Sequence, residues 1–172
     1  MDVDSFRGLL TDAGRRAVDH ATAALDAGRD PLAVAIDVRR DAGDLPREVI
    51  AAAITQARLR QRGRAKFGGA ADRMWFTPDG VEQATRPEVA ERRAFRFGGL
   101  ADTWGRPARV ADLCCGVGAD LRALAAAGCA MTGFDRDPLT VEVARANIES
   151  LGITGATVEC VDVETLDISG FE

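Results

Sequence analysis

RVADLCCGVGADLRAL, residues 109–124, couples a strand to a helix through glycine. The apolar run ending in Leu113-Cys114-Cys115 has the character of a buried parallel strand. Gly116-Val117-Gly118 supplies a tight turn and lets the backbone approach a ligand closely, and a helix-patterned segment follows. Asp112 sits near the strand's end, and Asp135 comes 17 residues after Gly118. A ligand with a positive centre at one end and a ribose at the other suits that arrangement.

Downstream the pattern alternates. Strand 1 is expected over 109–114, a helix over 118–127, strand 2 over 130–134, a helix from Pro138 to Leu151, and strand 3 over 157–161. This βαβαβ order is half of a doubly wound parallel sheet, so the fold class is α/β: an N-terminal helical bundle followed by a partial, truncated Rossmann-like sheet. Asp112, Asp135 and Asp162 then fall at the C-terminal ends of three successive strands, the edge where such sheets bind ligands. Asp135 is placed to accept hydrogen bonds from two ribose hydroxyls, and Asp162 or its backbone to reach an adenine amino group. The Gly116–Gly118 loop brings amides, carbonyls and a helix N-terminus to the ligand.

Upstream, residues 1–66 read as helices. Thr11-Asp12 offers a cap, Asp30-Pro31 a cap and first helical position, and Leu45-Pro46 the start of a long helix ending near Gly63. Leu32, Ile36 and Val38 are the apolar positions of the second of these, and Gly43 its stop. Such helices pack as a small bundle. The tail Arg58, Arg60, Arg62, Arg64 and Lys66 reads as a solvated, dipole-compensating helix end, with a phosphate-contacting patch as the alternative. Residues 67–108 form a connector: Met74, Trp75 and Phe76 precede a Thr77-Pro78 helix start, and a further helix runs from Pro87 until Gly98-Gly99 breaks it. Trp75-Phe76 either seats the connector on a core, or Phe76 and Thr77 form a lid over the ligand. Three segments result: a helical domain at 1–66, the connector at 67–108, and the front half of the ligand domain at 109–172.

Net charge is −5, but residues 1–109 carry 19 basic and 16 acidic side chains while residues 110–172 carry 3 and 11. Global charge therefore gives no support to non-specific nucleic-acid binding. No apolar run approaches the roughly 18 residues of a membrane span, and the acidic MDVDSF start lacks a signal-peptide pattern. Four cysteines without disulfide-like spacing point to a cytoplasmic setting.

The ligand can be narrowed. A dinucleotide fingerprint wants a third glycine where Leu121 stands. Asp120 and Asp112 would repel a pyrophosphate, which disfavours NAD and favours a ligand with a cationic amino-acid tail and no phosphates. S-adenosylmethionine fits. DLCCGVGAD, GFDRDPLTVEVARANIESLG and VECVDVETLD resemble motifs I to III of class I S-adenosylmethionine-dependent methyltransferases. The Phe76-Thr77-Pro78 stretch with Asp112-x-Cys114-Cys115-Gly116-Val117-Gly118 resembles the trimethylguanosine synthase-like group. The N-terminal helices are similar to those of THUMP-like bacterial methyltransferases. The resemblance implies that Asp112, Gly116, Gly118 and Asp120 hold the methionine end, Asp135 the ribose and Asp162 the adenine, with Thr77 and Phe76 closing over the cofactor. It implies RNA as the acceptor. The family's fourth, acceptor-side motif does not occur, so the expectation is the front half of an enzyme that transfers no methyl group by itself. Its first strand would be left as an open apolar edge that self-associates or is covered by the chain's own helices.

Cys114 and Cys115 should point to opposite faces of a strand, no Cys-x-x-Cys occurs, and His20 is the only histidine. The expectation is buried, inert thiols and no metal, with His20 a solvated or partly packed helix residue. Two further classes stay open: a non-catalytic nucleotide-binding or interaction module, and an NAD-dependent oxidoreductase.

Overall fold

The computed structural model describes residues 1–171, without the side chains of residues 101 and 102; Glu172, at the end of the expected 109–172 segment, lies outside them. The chain divides into two compact units after Asp72, so the stretch 73–108 belongs to the same unit as the sheet.

The first unit is helical: α1 (Val3–Leu9), α2 (Asp12–Asp26), α3 (Pro31–Asp41) and α4 (Arg47–Phe67). Asp2, Thr11 and Asp30 each cap a helix by accepting from first-turn amides, and Pro31 occupies the first turn of α3, where its missing N–H costs nothing. Phe6, Leu9, Val18, Ala21, Val34, Val38, Ala53 and Ala57 are buried. The helix expected to stop near Gly63 continues to Phe67 and ends on Gly68, whose φ of 56° turns the chain out of the helix. Gly63 is buried on the packed face of α4, where tertiary contact outweighs the roughly 1 kcal/mol helix penalty of a glycine.

The arginine-rich tail of α4 is not uniformly solvated. The Arg60 side chain is 6% exposed beside Asp19, and Arg64 forks onto both carboxylate oxygens of Asp26 at 2.7 Å while its Nε reaches Asp72 at 2.7 Å. Burial lowers the Arg60 pKa, whereas the two carboxylates hold the Arg64 proton more firmly. α3 also departs from expectation. It buries Val34 and Val38, while Leu32 and Ile36 remain 71% and 60% exposed.

The second unit begins with Met74, Trp75 and Phe76, all buried, and continues through α5 (Pro78–Gln83), α6 (Pro87–Trp104), β1 (Arg109–Leu113), α7 (Ala119–Ala126), β2 (Ala130–Asp135), α8 (Pro138–Ser150) and β3 (Ala156–Cys160). The three strands are parallel in the order β1-β2-β3, with Asp112 opposite Gly133 and Asp135 opposite Cys160. β1 pairs with β2 alone among the described residues, and Leu113 at its end is 46% exposed. Val110, Met131 and Val158 from the strands pack with Leu121 and Leu124 of α7 and Val141 and Ala144 of α8. α6 is not broken at Gly98-Gly99. Gly98 lies against the C-cap of α7, where even an added Cβ would make only ordinary contact 3.5 Å from the Ala127 carbonyl oxygen, so packing against this neighbour carries the helix through both glycines.

One polar side chain ties this unit together. Asn147 of α8 is 2% exposed; its amide donates to the carbonyls of Trp75 (3.0 Å) and Val117 (2.9 Å), and its oxygen accepts from the Trp75 amide (2.6 Å). The Trp75 indole donates to Ser150 at 3.0 Å. Asn147→Ala should lower unfolding stability by roughly 2–4 kcal/mol, because three buried hydrogen bonds to backbone groups are lost. Urea unfolding checks this; a loss below roughly 0.5 kcal/mol, the ordinary surface value, would contradict it.

Candidate functional site

The cleft is built by the loop after β1. Cys114, Gly116 and Gly118 adopt φ of 61°, 56° and 84°, which reverses the chain within five residues and delivers it into α7 with Gly118 as cap. Cys114 is the only described non-glycine residue with positive φ, a strained conformation that neighbouring structure must hold in place. The Cys115 amide does part of this by donating to the Phe134 carbonyl at 2.9 Å. The loop then crosses β2 at Gly133, where a Cβ would come within 2.9 Å of the Cys115 sulfur and 2.8 Å of Leu121.

Above the loop lies a cavity of about 740 Å³ lined by Thr77, Asp112, Cys114, Gly116, Asp120 and Asp135 among others, within the range of small-molecule sites. Thr77 spends its hydroxyl on α5, accepting from the Gly80 amide at 2.9 Å. Asp135 accepts from the amides of Gly116 (3.2 Å) and Asp137 (3.1 Å), which orients its carboxylate toward the loop. Asp120 accepts from the Thr85 hydroxyl at 2.6 Å and from Arg93 at 2.8 Å through one oxygen. Its other oxygen, and one oxygen of Asp112, are buried without a hydrogen-bond partner among the described residues.

Two of these eight expected site positions lie behind the wall of the cavity. Phe76 is fully buried and Gly118 is buried at the start of α7; neither lines it. Asp162 is exposed, caps a short 3-10 turn by accepting from the Glu164 amide at 3.1 Å, and also does not line the cavity. Thr85 and Arg93 are the residues the sequence reading missed. Nothing in their spacing marks them, since α6 alone brings Arg93 back to a carboxylate 27 positions later. Asn147 did leave a signal, an amide one turn from Val143 on a buried helix face.

The thiols divide differently from expectation. Cys115 and Cys129 are buried, Cys160 is exposed at the end of β3, and Cys114 is exposed because β1 ends at Leu113 and Cys114 turns out into the cleft. Burial, reinforced by Asp112 and Asp135, pushes the Cys115 thiol up to about 12, so it stays protonated and unreactive. His20 is half-buried in the other unit, 3.6 Å from Asp41.

Electrostatics explains what the cavity can hold. Burial, then the neighbouring charge of Asp120 and, less strongly, Asp135, raise the Asp112 pKa to about 7 against an opposing pull from Arg93. Two partnerless buried carboxylate oxygens call for a donor or a cation. Gly116 leaves open space where a side chain would project. These acceptor carboxylates therefore fit a ligand with a cationic amino-acid end and oppose a diphosphate.

Residues 110–171 match the family model described as "Methyltransferase domain", and residues 2–63 match "Domain of unknown function (DUF8688)". Two curated relatives, named uncharacterized S-adenosylmethionine-dependent methyltransferases, come from Mycobacterium tuberculosis strains CDC 1551 / Oshkosh and ATCC 25618 / H37Rv. Each is 33% identical over 100 residues, 55% of this chain and 26% of the relative. The chain thus spans about a quarter of the length of the curated relatives it matches. Among solved structures, the high-resolution crystal structure of WbdD aligns at a TM-score of 0.46 and 24% identity, covering 56% of this chain and 23% of that one. A structure of the same protein is titled a bifunctional kinase-methyltransferase and aligns at 0.41, covering 50% and 19%.

The raised Asp112 pKa has a stability consequence. The folded state holds a proton there that the unfolded chain releases near pH 4, so this group's contribution falls as pH rises from about 4 to about 7. Asp112→Asn should remove that slope and make the ligand-free protein more stable than wild type at pH 8, by on the order of a few kcal/mol, with little difference at pH 4. Thermal unfolding of both proteins across pH 4–8 checks it; parallel curves would contradict it.

Proposed function

We propose that this chain carries the cofactor-binding front of an S-adenosylmethionine-dependent methyltransferase whose acceptor is RNA. The observation that carries the cofactor is the pair of partnerless buried oxygens on Asp112 and Asp120. The methyltransferase-domain match over residues 110–171 and the names of the relatives support the same reading. When bound, S-adenosylmethionine supplies a methyl group on a positively charged sulfur. Asp112, Asp120 and the backbone around Gly116 would hold its methionine end, and Asp135, already oriented by two amides, would take the ribose. Gly118 acts through the turn into α7, and Phe76 through the buried seat beneath Thr77. The assignment of Asp162 to adenine rests on the motif resemblance alone. So does RNA as acceptor, through the Phe76-Thr77-Pro78 and Asp112–Gly118 segments of the trimethylguanosine synthase-like and THUMP-like groups. In a longer chain carrying an acceptor motif, methyl label entering bulk protein rather than bulk RNA would overturn it.

Calorimetric titration separates the cofactor classes. S-adenosylmethionine and its demethylated product should bind, and NADH should not; the reverse order would overturn the reading. Asp135→Ala should weaken product binding by roughly 1.5–3 kcal/mol, the scale of hydrogen bonds to a charged group. Affinity should also rise with pH between about 5 and 7 and level off above, because a cationic ligand favours ionised Asp112 and displaces its proton. A pH-independent affinity would show that Asp112 does not face the ligand's charge.

The free edge of β1 belongs to the same proposal. Its unpaired backbone groups and half-exposed Leu113 are a template for a second strand, so the 172-residue chain should self-associate. Sedimentation should show dimers that Leu113→Lys dissociates; a monomer at millimolar concentration would contradict this.

A further inference from the structure

The helical unit carries a surface that its own core does not use. On α3, Leu32 and Ile36 lie one turn apart and are 71% and 60% exposed, while the opposite face buries Val34 and Val38. Beside them runs a groove of about 520 Å³ between α3 and α4, lined by Ala35, Arg39, Arg47, Ile50 and Ile54, with Glu48 at one end. Ile50 and Ile54 are again one turn apart. Ile54 is half-buried at the wall and Ile50, buried, forms the floor, so the exposed ridge of Leu32 and Ile36 borders a channel into which a third helix can pack its own i, i+3/i+4, i+7 side chains.

The charges choose the sign of the partner. The acids of α3 are already spent: Asp37 takes Arg29 and Arg40, and Asp41 takes Arg40 and lies beside His20. Arg39 and Arg47 have no side-chain hydrogen bond or ion pair among the described residues, which leaves two uncompensated guanidinium groups at the groove against the single carboxylate of Glu48. A basic helix would meet repulsion there. A helix with carboxylates flanking an apolar stripe would satisfy both features.

We infer that the α3–α4 groove is a docking site for an acidic amphipathic helix, anchored on Leu32 and Ile36 with Ile54 at the wall, and oriented by Arg39 and Arg47. This surface is independent of the cofactor reading, since none of its residues lines the cleft.

Fluorescence anisotropy on the full chain tests it with a labelled 18-residue helical peptide bearing Leu at i, i+3, i+4 and i+7 and Glu on both flanks. A second peptide replaces every Glu with Lys. The acidic peptide should bind, and the lysine peptide should bind at least tenfold more weakly. Leu32→Ser with Ile36→Ser should weaken the acidic peptide at least tenfold; Arg39→Glu with Arg47→Glu should do the same and reverse the preference between peptides. The exposed positions of all four residues keep the fold intact, which circular dichroism verifies. Equal binding of both peptides, no binding of either, or binding indifferent to both double variants would overturn the inference. So would a chain dimer that Leu32→Ser with Ile36→Ser dissociates, since a second copy would then be the occupant.

Discussion

The second unit hangs on a single buried amide. Asn147 reaches from α8 to the backbone of Trp75 on one side and of Val117 on the other, so the segment before α5 and the loop after β1 share one partner. Both are irregular backbone that no ladder or helix would otherwise satisfy, and buried backbone groups must find partners. An amide side chain suits this place because it donates twice and accepts once in a fixed plane. Through it, the walls of the cleft are held by a helix that contributes nothing to the site's acidic groups.

With the walls held, the cleft can carry charge at a cost to the free protein. Asp112 and Asp120 face each other's field in a partly desolvated space, with Arg93 and Thr85 as the counterweights on Asp120. Arg93 neutralises one carboxylate and leaves the Asp112 proton to absorb the remainder. An arrangement that is unfavourable empty becomes favourable with a cation inside, so the destabilisation is the physical counterpart of selectivity.

The helical unit handles charge the other way. Arg60 and Arg64 are drawn back onto Asp19, Asp26 and Asp72, which joins α2, α4 and the turn after α4 and removes them as contacts for anything outside. Arg39 and Arg47, on the α3–α4 face, make no such pair among the described residues. A run of basic residues in sequence therefore says little about a basic surface, since each guanidinium can reach any carboxylate that packing brings near.

The order of strands and helices after residue 108, the caps at Thr11, Asp30 and Thr77, and the gathering of Asp112 and Asp135 at one sheet edge are all legible in the residue pattern. These follow from local rules: period, capping and the strand-to-helix turn act within a few residues. What depended on distant neighbours was decided only by tertiary structure. α6 passes through Gly98-Gly99 because α7 packs there, and α3 shows Leu32 to solvent because α3 and its neighbours bury the Val34 face instead. Asp120 is clamped by Arg93, and Cys114 turns into the cleft because Cys115 must reach Phe134. A helix propensity or a strand pattern is worth about a kilocalorie per residue, and one packed neighbour or one buried charge outweighs it.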